Sequence, residues 1–293
     1  MSQEQHLLLP YQGPYDWPAM LGFLALRAID GLEVVQGDTY ARSFELEGCQ
    51  GTLSLRPGPV GHLQLRLNLA QAHLLPKVVE RLRRQFDLEA DLPLIHRHLA
   101  TDPLLAPLLA ARPGLRVPGA WDGFELAIRA VLGQQITVQG AIRLASRLVA
   151  TYGRPLMCPD RQWPGLTHVF ATPEVLAGAD LAGLGMPRSR ARTLSVVAQA
   201  LLDDPQLLQP GGDLQHSLER LLQLPGIGDW TAHYIALRQM REGDAFPAAD
   251  AGLLNAMAAL QGQRPTARQL LARAEAWRPW RAYAAQHLWT ASG

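Results

Sequence analysis

Two places in the 293-residue chain have residue types and spacing suited to chemistry. The first is Leu224-Pro225-Gly226-Ile227-Gly228, where a proline and two glycines make a tight connection between a helix closing over Leu218 to Leu222 and another beginning at Asp229. Without Cβ atoms, the glycines let backbone N–H groups approach a ligand, and the following helix offers the positive end of its dipole. A phosphate can be held there without any lysine. The same turn can equally serve simple αα-hairpin packing, and Asp229 would repel a phosphate beside it at a modest cost in affinity. The second place is Asp250, which follows Phe246-Pro247-Ala248-Ala249 and opens the helical run Leu253 to Leu260. Taken alone, an Asp in that position reads as a helix N-cap.

The elements that must position these residues fall into two groups. Residues 32 to 69 alternate in the manner of half-buried strands, most clearly at Leu63, Leu65, Leu67 and Leu69, and Thr52-Leu53-Ser54-Leu55-Arg56 carries the same period. Pro57-Gly58-Pro59 and Gly61 turn one run into the other. Trp17 to Ile29 before this hairpin reads as a helix, and Leu74 to Phe86 after it as a basic amphipathic helix. Beyond about residue 88 the strand signal disappears and the rest reads as all-α. Phe124, Ala127, Ile128, Val131 and Leu132 keep helical spacing, Gly133-Gln134-Gln135 interrupts it, and Ile142, Ala145, Leu148 and Val149 resume it. The fold class expected is α+β, with a small antiparallel-sheet domain over 1–88 and a helical body over 89–293.

Composition narrows the chemistry. Hydrophobic residues make up 48% of the chain and charged residues 18%, as in ordinary globular proteins. The net charge of +1 gives no broad footprint for a polyanion, so any nucleic acid must be bound by a local site. Cys49 and Cys158 have no Cys-x-x-Cys spacing, which excludes a disulfide framework and a zinc or iron–sulfur ligand set. The nine histidines form no His-x-x-x-His metal pair, His233 and His287 read as helix-surface or core-edge residues, and phosphate-loop, dinucleotide and nucleophile-elbow motifs are missing. With no membrane-length apolar run and no secretory signal, the expected location is the cytoplasm.

The chain resembles the helix–hairpin–helix superfamily of DNA glycosylases, and within it the AlkA type, the 3-methyladenine DNA glycosylases II. The resemblance begins at Pro14-Tyr15-Asp16-Trp17 and Met20-Leu21-Gly22-Phe23 and passes through Ala111-Arg112-Pro113-Gly114-Leu115-Arg116 and Arg129-Ala130-Val131-Leu132-Gly133-Gln134. It continues in the hairpin, Trp230-Thr231-Ala232, Tyr234-Ile235-Ala236-Leu237-Arg238, Trp277-Arg278-Pro279-Trp280-Arg281 and His287-Leu288-Trp289. It implies a sheet domain like half of a TATA-binding protein, then a helical body with its active site in a cleft. It implies a monomer acting on double-stranded DNA that carries alkylated bases, with no membrane partner and no organic cofactor. An alkali cation, Na+ or K+, would bind the carbonyls of Leu222, Leu224 and Ile227, and Gly226, Ile227 and Gly228 would meet DNA phosphate.

The resemblance also assigns the reaction. Asp250 has the spacing from the hairpin of the superfamily's catalytic carboxylate, which stabilises an oxocarbenium-like sugar or activates water. Members that also cut the backbone carry a lysine where this chain has Trp230, so base removal without strand cleavage is implied. Trp230 and Tyr234 share a helix face at i and i+4 and, with Phe23 and Trp289, would line the base pocket, where electron-rich rings suit a cationic methylated base. Gln135 occupies the wedge position that fills the gap left by a flipped base, with Ile136 beside it. Ala249 replaces a second Asp common in the family and Ala251 a pocket tyrosine. Arg188, Arg190 and Arg192 read as a solvated helix face. Two rival readings remain open: an oxidised-purine glycosylase with lyase activity, against which Trp230 argues, and a damage-sensing module without catalysis, against which Asp250 argues.

Overall fold

The leucine alternation is realised in β5 (His62–Leu69), whose Leu63, Leu65, Leu67 and Leu69 are all buried. In this computed structural model, which describes residues 3–210 and 212–291, β5 lies in a five-stranded antiparallel sheet. Its other members are β1 (Gln3–Pro10), β2 (Glu33–Gln36), β3 (Thr39–Leu46) and β4 (Cys49–Pro57), in the order β1-β5-β4-β3-β2. β1 escaped the sequence reading because Leu7-Leu8-Leu9 breaks the period-two pattern; pairing with β5, from Gln3 against Leu69 to Pro10 against His62, gives it its strand character.

Two helices cover one face of the sheet. α1 (Trp17–Ala25) starts where Asp16 accepts a hydrogen bond from Ala19 N at 3.0 Å, with Pro18 in the first turn. It stops four residues short of the expected Ile29, at the Leu26 cap. α2 (Leu75–Gln85) is amphipathic, and its Val78 and Leu82 join Trp17, Met20 and Leu24 against the sheet leucines. The opposite, polar face is not left to solvent. Asp160 reaches over it from the helical body and accepts from Thr52 Oγ1 (2.6 Å), Arg66 (2.9 Å) and Asn68 (2.9 Å).

The body contains α3 (Leu92–Leu99), α4 (Ala106–Ala111), α5 (Gly123–Leu132), α6 (Val138–Tyr152), α7 (Pro173–Ala177) and α8 (Arg188–Asp203). After these come α9 (Leu214–Leu222), α10 (Asp229–Arg238), α11 (Ala251–Gln261), α12 (Ala267–Ala274) and α13 (Arg281–Ala291). It is not purely helical, as a two-residue pair of strands, β6 (Arg154–Pro155) and β7 (His168–Val169), follows α6. Such a ladder is too short to leave a periodic signal. No helix of the described residues is long and apolar enough to cross a membrane.

The two layers are interleaved rather than joined end to end. Ile29 and Leu32 pack into the helical core, whereas Leu88 and Trp121 pack into the sheet-side core. Between them lies a buried ion cluster. Arg42 of β3 meets Glu125 of α5 at 2.7 Å, and Arg129 of α5 binds both Glu33 of β2 (2.5 Å) and Glu125 (2.6 Å). The Tyr40 hydroxyl donates to Glu33 at 2.7 Å. Burial alone would raise the Glu125 carboxyl, but Arg42 and Arg129 outweigh it and hold the group well below the usual carboxylate range. The cluster fixes the sheet against α5 and so sets the width of the cleft beside it.

Candidate active site

The hairpin joins α9 to α10 in the conformation its glycines permit. Gly226 has φ +91°, and a Cβ there would lie 2.0 Å from Thr193 Oγ1 on α8, so both the backbone and the close approach of α8 require glycine. Gly228 is different. Its φ is −98° and a Cβ would meet nothing within 4 Å, so no contact inside the protein accounts for it. It caps α10 without a side-chain hydrogen bond, leaving the helix N-terminus to an outside acceptor. Leu222 is exposed, Ile227 is buried as the anchor of the turn, and the Leu224 carbonyl accepts from Ile227 N at 3.0 Å. Asp229 is exposed beside Gly228, with His233 at 3.7 Å.

The Gly133-Gln134-Gln135 break does more than interrupt a helix. Gln134 Nε2 donates to the Gly226 carbonyl and to Thr231 Oγ1, each at 3.0 Å, which ties the α5–α6 junction to the hairpin. Arg190 in turn donates to the Gln134 carbonyl, so one of the three α8 arginines expected on a solvated face supports this junction, while Arg188 and Arg192 remain exposed. Gln135 is exposed with φ +56°, a left-handed conformation that presents its side chain outward beside Ile136, which is 38% exposed.

Asp250 is both cap and candidate catalyst. Its Oδ1 accepts from Leu253 N (3.0 Å), which starts α11, and from Trp289 Nε1 of α13 (2.7 Å). Its Oδ2 accepts from Trp230 Nε1 of α10 at 2.7 Å. Three N–H donors on two oxygens suit an ionised, acceptor-only carboxylate and fix its orientation. The alternatives of N-cap and functional carboxylate are therefore not exclusive. Gly252 leaves room for this arrangement, since a Cβ there would lie 3.0 Å from Asp250 Oδ1 and 3.1 Å from the Trp289 ring and would press on both.

This carboxylate opens on a cleft of about 850 Å³ between the α1 end of the sheet layer and the helical body. Phe23, Trp230, Tyr234 and Trp289 all line it, as do Gln134 and Gln135. Trp230 and Tyr234 stack with ring centroids 5.1 Å apart and planes 13° from parallel. Residues 6–122 match the AlkA N-terminal domain family, and residues 128–282 match the HhH-GPD superfamily of base excision DNA repair proteins. The chain belongs to the HhH-GPD superfamily.

Relatives of this HhH-GPD chain extend along its whole length. It is 36% identical over 289 residues to the Escherichia coli DNA-3-methyladenine glycosylase 2, covering 97% of each chain. It is 41% identical over 284 residues to a Mycobacterium tuberculosis probable bifunctional transcriptional activator/DNA repair enzyme AlkA, where it covers 97% of itself and only 56% of the relative. The chain thus spans little more than half the length of that relative. Its fold matches the solved 3-methyladenine DNA-glycosylase from Archaeoglobus fulgidus with a TM-score of 0.83 at 22% identity, over 98% of this chain and 97% of the other.

One residue of the HhH-GPD pocket was missed from the sequence. Arg238 continues the Trp230–Tyr234 stripe by one further turn, and its guanidinium lies 4.6 Å from the Phe23 ring, 5.1 Å from Trp289 and 5.5 Å from Tyr234. Arg27 sits 4.0 Å over the other approach to Phe23. Three of the four rings expected to receive a cationic base, Phe23, Tyr234 and Trp289, therefore already meet a cation of the protein, while Trp230 stacks on Tyr234. Burial pulls the Arg238 guanidinium down to about 10, which leaves it charged at neutral pH. Burial would raise the Tyr234 hydroxyl, but Arg238 and Arg27 outweigh that and lower it. The i, i+4, i+8 spacing was the available signal; that no carboxylate among the described residues pairs with Arg238 was not visible in it.

Proposed function

We propose that the chain is a monofunctional DNA glycosylase that hydrolyses the N-glycosidic bond of alkylated bases, 3-methyladenine and 7-methylguanine among them, in base excision repair. The observation that carries this reading is Asp250, oriented by two indole N–H groups at the mouth of an aromatic cleft that also reaches the hairpin-linked Gln134. The name of the Escherichia coli relative supports the substrate class. The hairpin N–H groups at Gly226 to Gly228 hold a phosphate of the duplex, Gln135 with Ile136 fills the gap left by the flipped nucleotide, and the base enters the cleft. Asp250 then faces the sugar, where it stabilises positive charge developing at C1′. Trp230 has no amine to form a Schiff base, so the product is an intact abasic strand.

The carbonyls of Leu222, Leu224 and Ile227 suit an alkali cation: Leu222 is exposed, and the Leu224 carbonyl keeps a second lone pair beyond its bond to Ile227 N. Na+ or K+ there would add positive charge where the phosphate docks. The test is mass-spectrometric profiling of bases released from methylated duplex DNA, with strand integrity followed on a denaturing gel. Release of several alkylated bases without strand breaks supports the reading. Tight binding without release would favour a damage sensor, and strand cleavage would favour a lyase.

A further inference from the structure

Among the described residues, no carboxylate pairs with the buried cation Arg238. Arg238 is 3% exposed and donates to the Pro118 carbonyl at 2.8 Å, to Gln286 Oε1 at 3.1 Å and to the Tyr234 hydroxyl, none of them a carboxylate, while its Nε has no partner. Two other arginines of the cleft wall, Arg42 and Arg129, are each bound to Glu125; the groups acting on Arg238 are Tyr234, whose hydroxyl favours its charge, and the cations Arg27 and Arg241, which oppose it. A buried charge without a counter-charge is costly, and the rings of Phe23, Tyr234 and Trp289 repay only part of that cost. Glu33, Glu125 and Asp122 are paired with Arg42, Arg129 and Arg81, so the positive charge left on the cleft wall without a bound carboxylate is that of Arg238 and Arg27, with Asp250 as the free acid of the cleft.

Given the glycosylase reading above, we propose that Arg238, assisted by Arg27, sets the charge preference of the pocket: it disfavours bases that enter as cations and promotes departure of neutral lesion bases. The reaction explains why. Breaking the C1′–N bond leaves its electron pair on the base, while water gives its hydroxyl to C1′ and its proton to Asp250 and then to solvent. A base alkylated on a ring nitrogen enters positively charged and leaves neutral. A neutral lesion such as hypoxanthine gathers negative charge as it departs and takes up a proton afterwards. Fixed positive charge on the cleft wall therefore stabilises the second transition state relative to its ground state and does nothing comparable for the first. Arg238 acts on the base, Asp250 on the sugar.

Single-turnover release is to be measured on two duplexes, one holding a single hypoxanthine and the other a single 7-methylguanine, for wild type, Arg238→Met, Arg238→Lys and Arg27→Met. Arg238→Met is expected to lose about tenfold to a hundredfold on hypoxanthine, as when one charge-stabilising donor is removed from an active site, and to hold or gain on 7-methylguanine. Arg238→Lys keeps the wild-type ratio of the two rates, and Arg27→Met shifts it in the direction of Arg238→Met. The ratio is internal to each preparation, so a smaller folded fraction leaves it unchanged. Arg27 is half-buried, bonds the Phe23 carbonyl and the Tyr234 hydroxyl, and keeps the test decisive if Arg238→Met does not fold. An unchanged ratio in Arg238→Met and Arg27→Met overturns the inference while leaving the glycosylase standing; no release from either duplex by wild type overturns the glycosylase reading itself.

Discussion

Replacing Asp250 by Asn separates its two roles. Asn is as good an N-cap as Asp, so with the side-chain oxygen at the Oδ1 position the bonds from Leu253 N and Trp289 Nε1 survive. The amide NH2 then faces Trp230 Nε1, donor against donor, and one indole N–H loses its acceptor. For a half-buried group that costs about 1 kcal/mol, which corresponds to a fall of roughly 2–4 °C in Tm. The catalytic loss is far larger, because the neutral amide cannot offset the charge on the sugar. A loss of about a thousandfold, equivalent to about 4 kcal/mol at 1.36 kcal/mol per tenfold, is expected. Single-turnover base release from methylated duplex, run beside thermal unfolding, reads both quantities on one preparation. A rate loss below tenfold with normal Tm would refute the assignment. A fall in Tm of more than about 10 °C would show that the carboxylate matters chiefly as a cap.

Three further outcomes follow from the geometry. Gly226→Ala should destabilise the protein by about 1–3 kcal/mol in denaturant unfolding, since it combines a left-handed φ with a clash on Thr193, whereas Gly228→Ala should leave the unfolding midpoint unchanged and weaken binding to duplex DNA in a fluorescence titration. Equal stability losses in the two variants would contradict this. Burial, reinforced by His96, holds the His287 imidazole down at about 4 against an ordinary 6.5. Below 6.5 the unfolded chain therefore takes up a proton that the folded chain refuses, and stability should fall by about 2 kcal/mol from pH 7.5 to 5; His287→Gln should flatten that slope in urea titrations. Glu125→Gln leaves Arg42 and Arg129 short of a buried counter-charge and should cost about 3–5 kcal/mol in the same assay. A cost below about 1 kcal/mol would mean that the cluster does not hold the layers together.

Much of this site was legible in the chain itself. The hairpin needed only proline and glycine, whose backbone preferences act locally, and the leucine alternation of β5 and the Trp230–Tyr234 face follow from the periods of strand and helix. The same periods gave the α+β architecture, while Asp250 alone read as a helix cap, and the wider resemblance supplied both the superfamily and the carboxylate's role. Tertiary structure decided the rest, because it depends on contacts between residues far apart in sequence. β1 is a strand only because β5 offers it a ladder, and His287 is buried in the core, with its ring 5.7 Å from His96, rather than at a surface or core edge. Gly226 is obligatory because α8 brings Thr193 against it, and Gln134 matters because its amide reaches the hairpin. Above all, sequence spacing can place a cation on the pocket face but cannot show whether an anion faces it, and among the described residues no carboxylate binds Arg238.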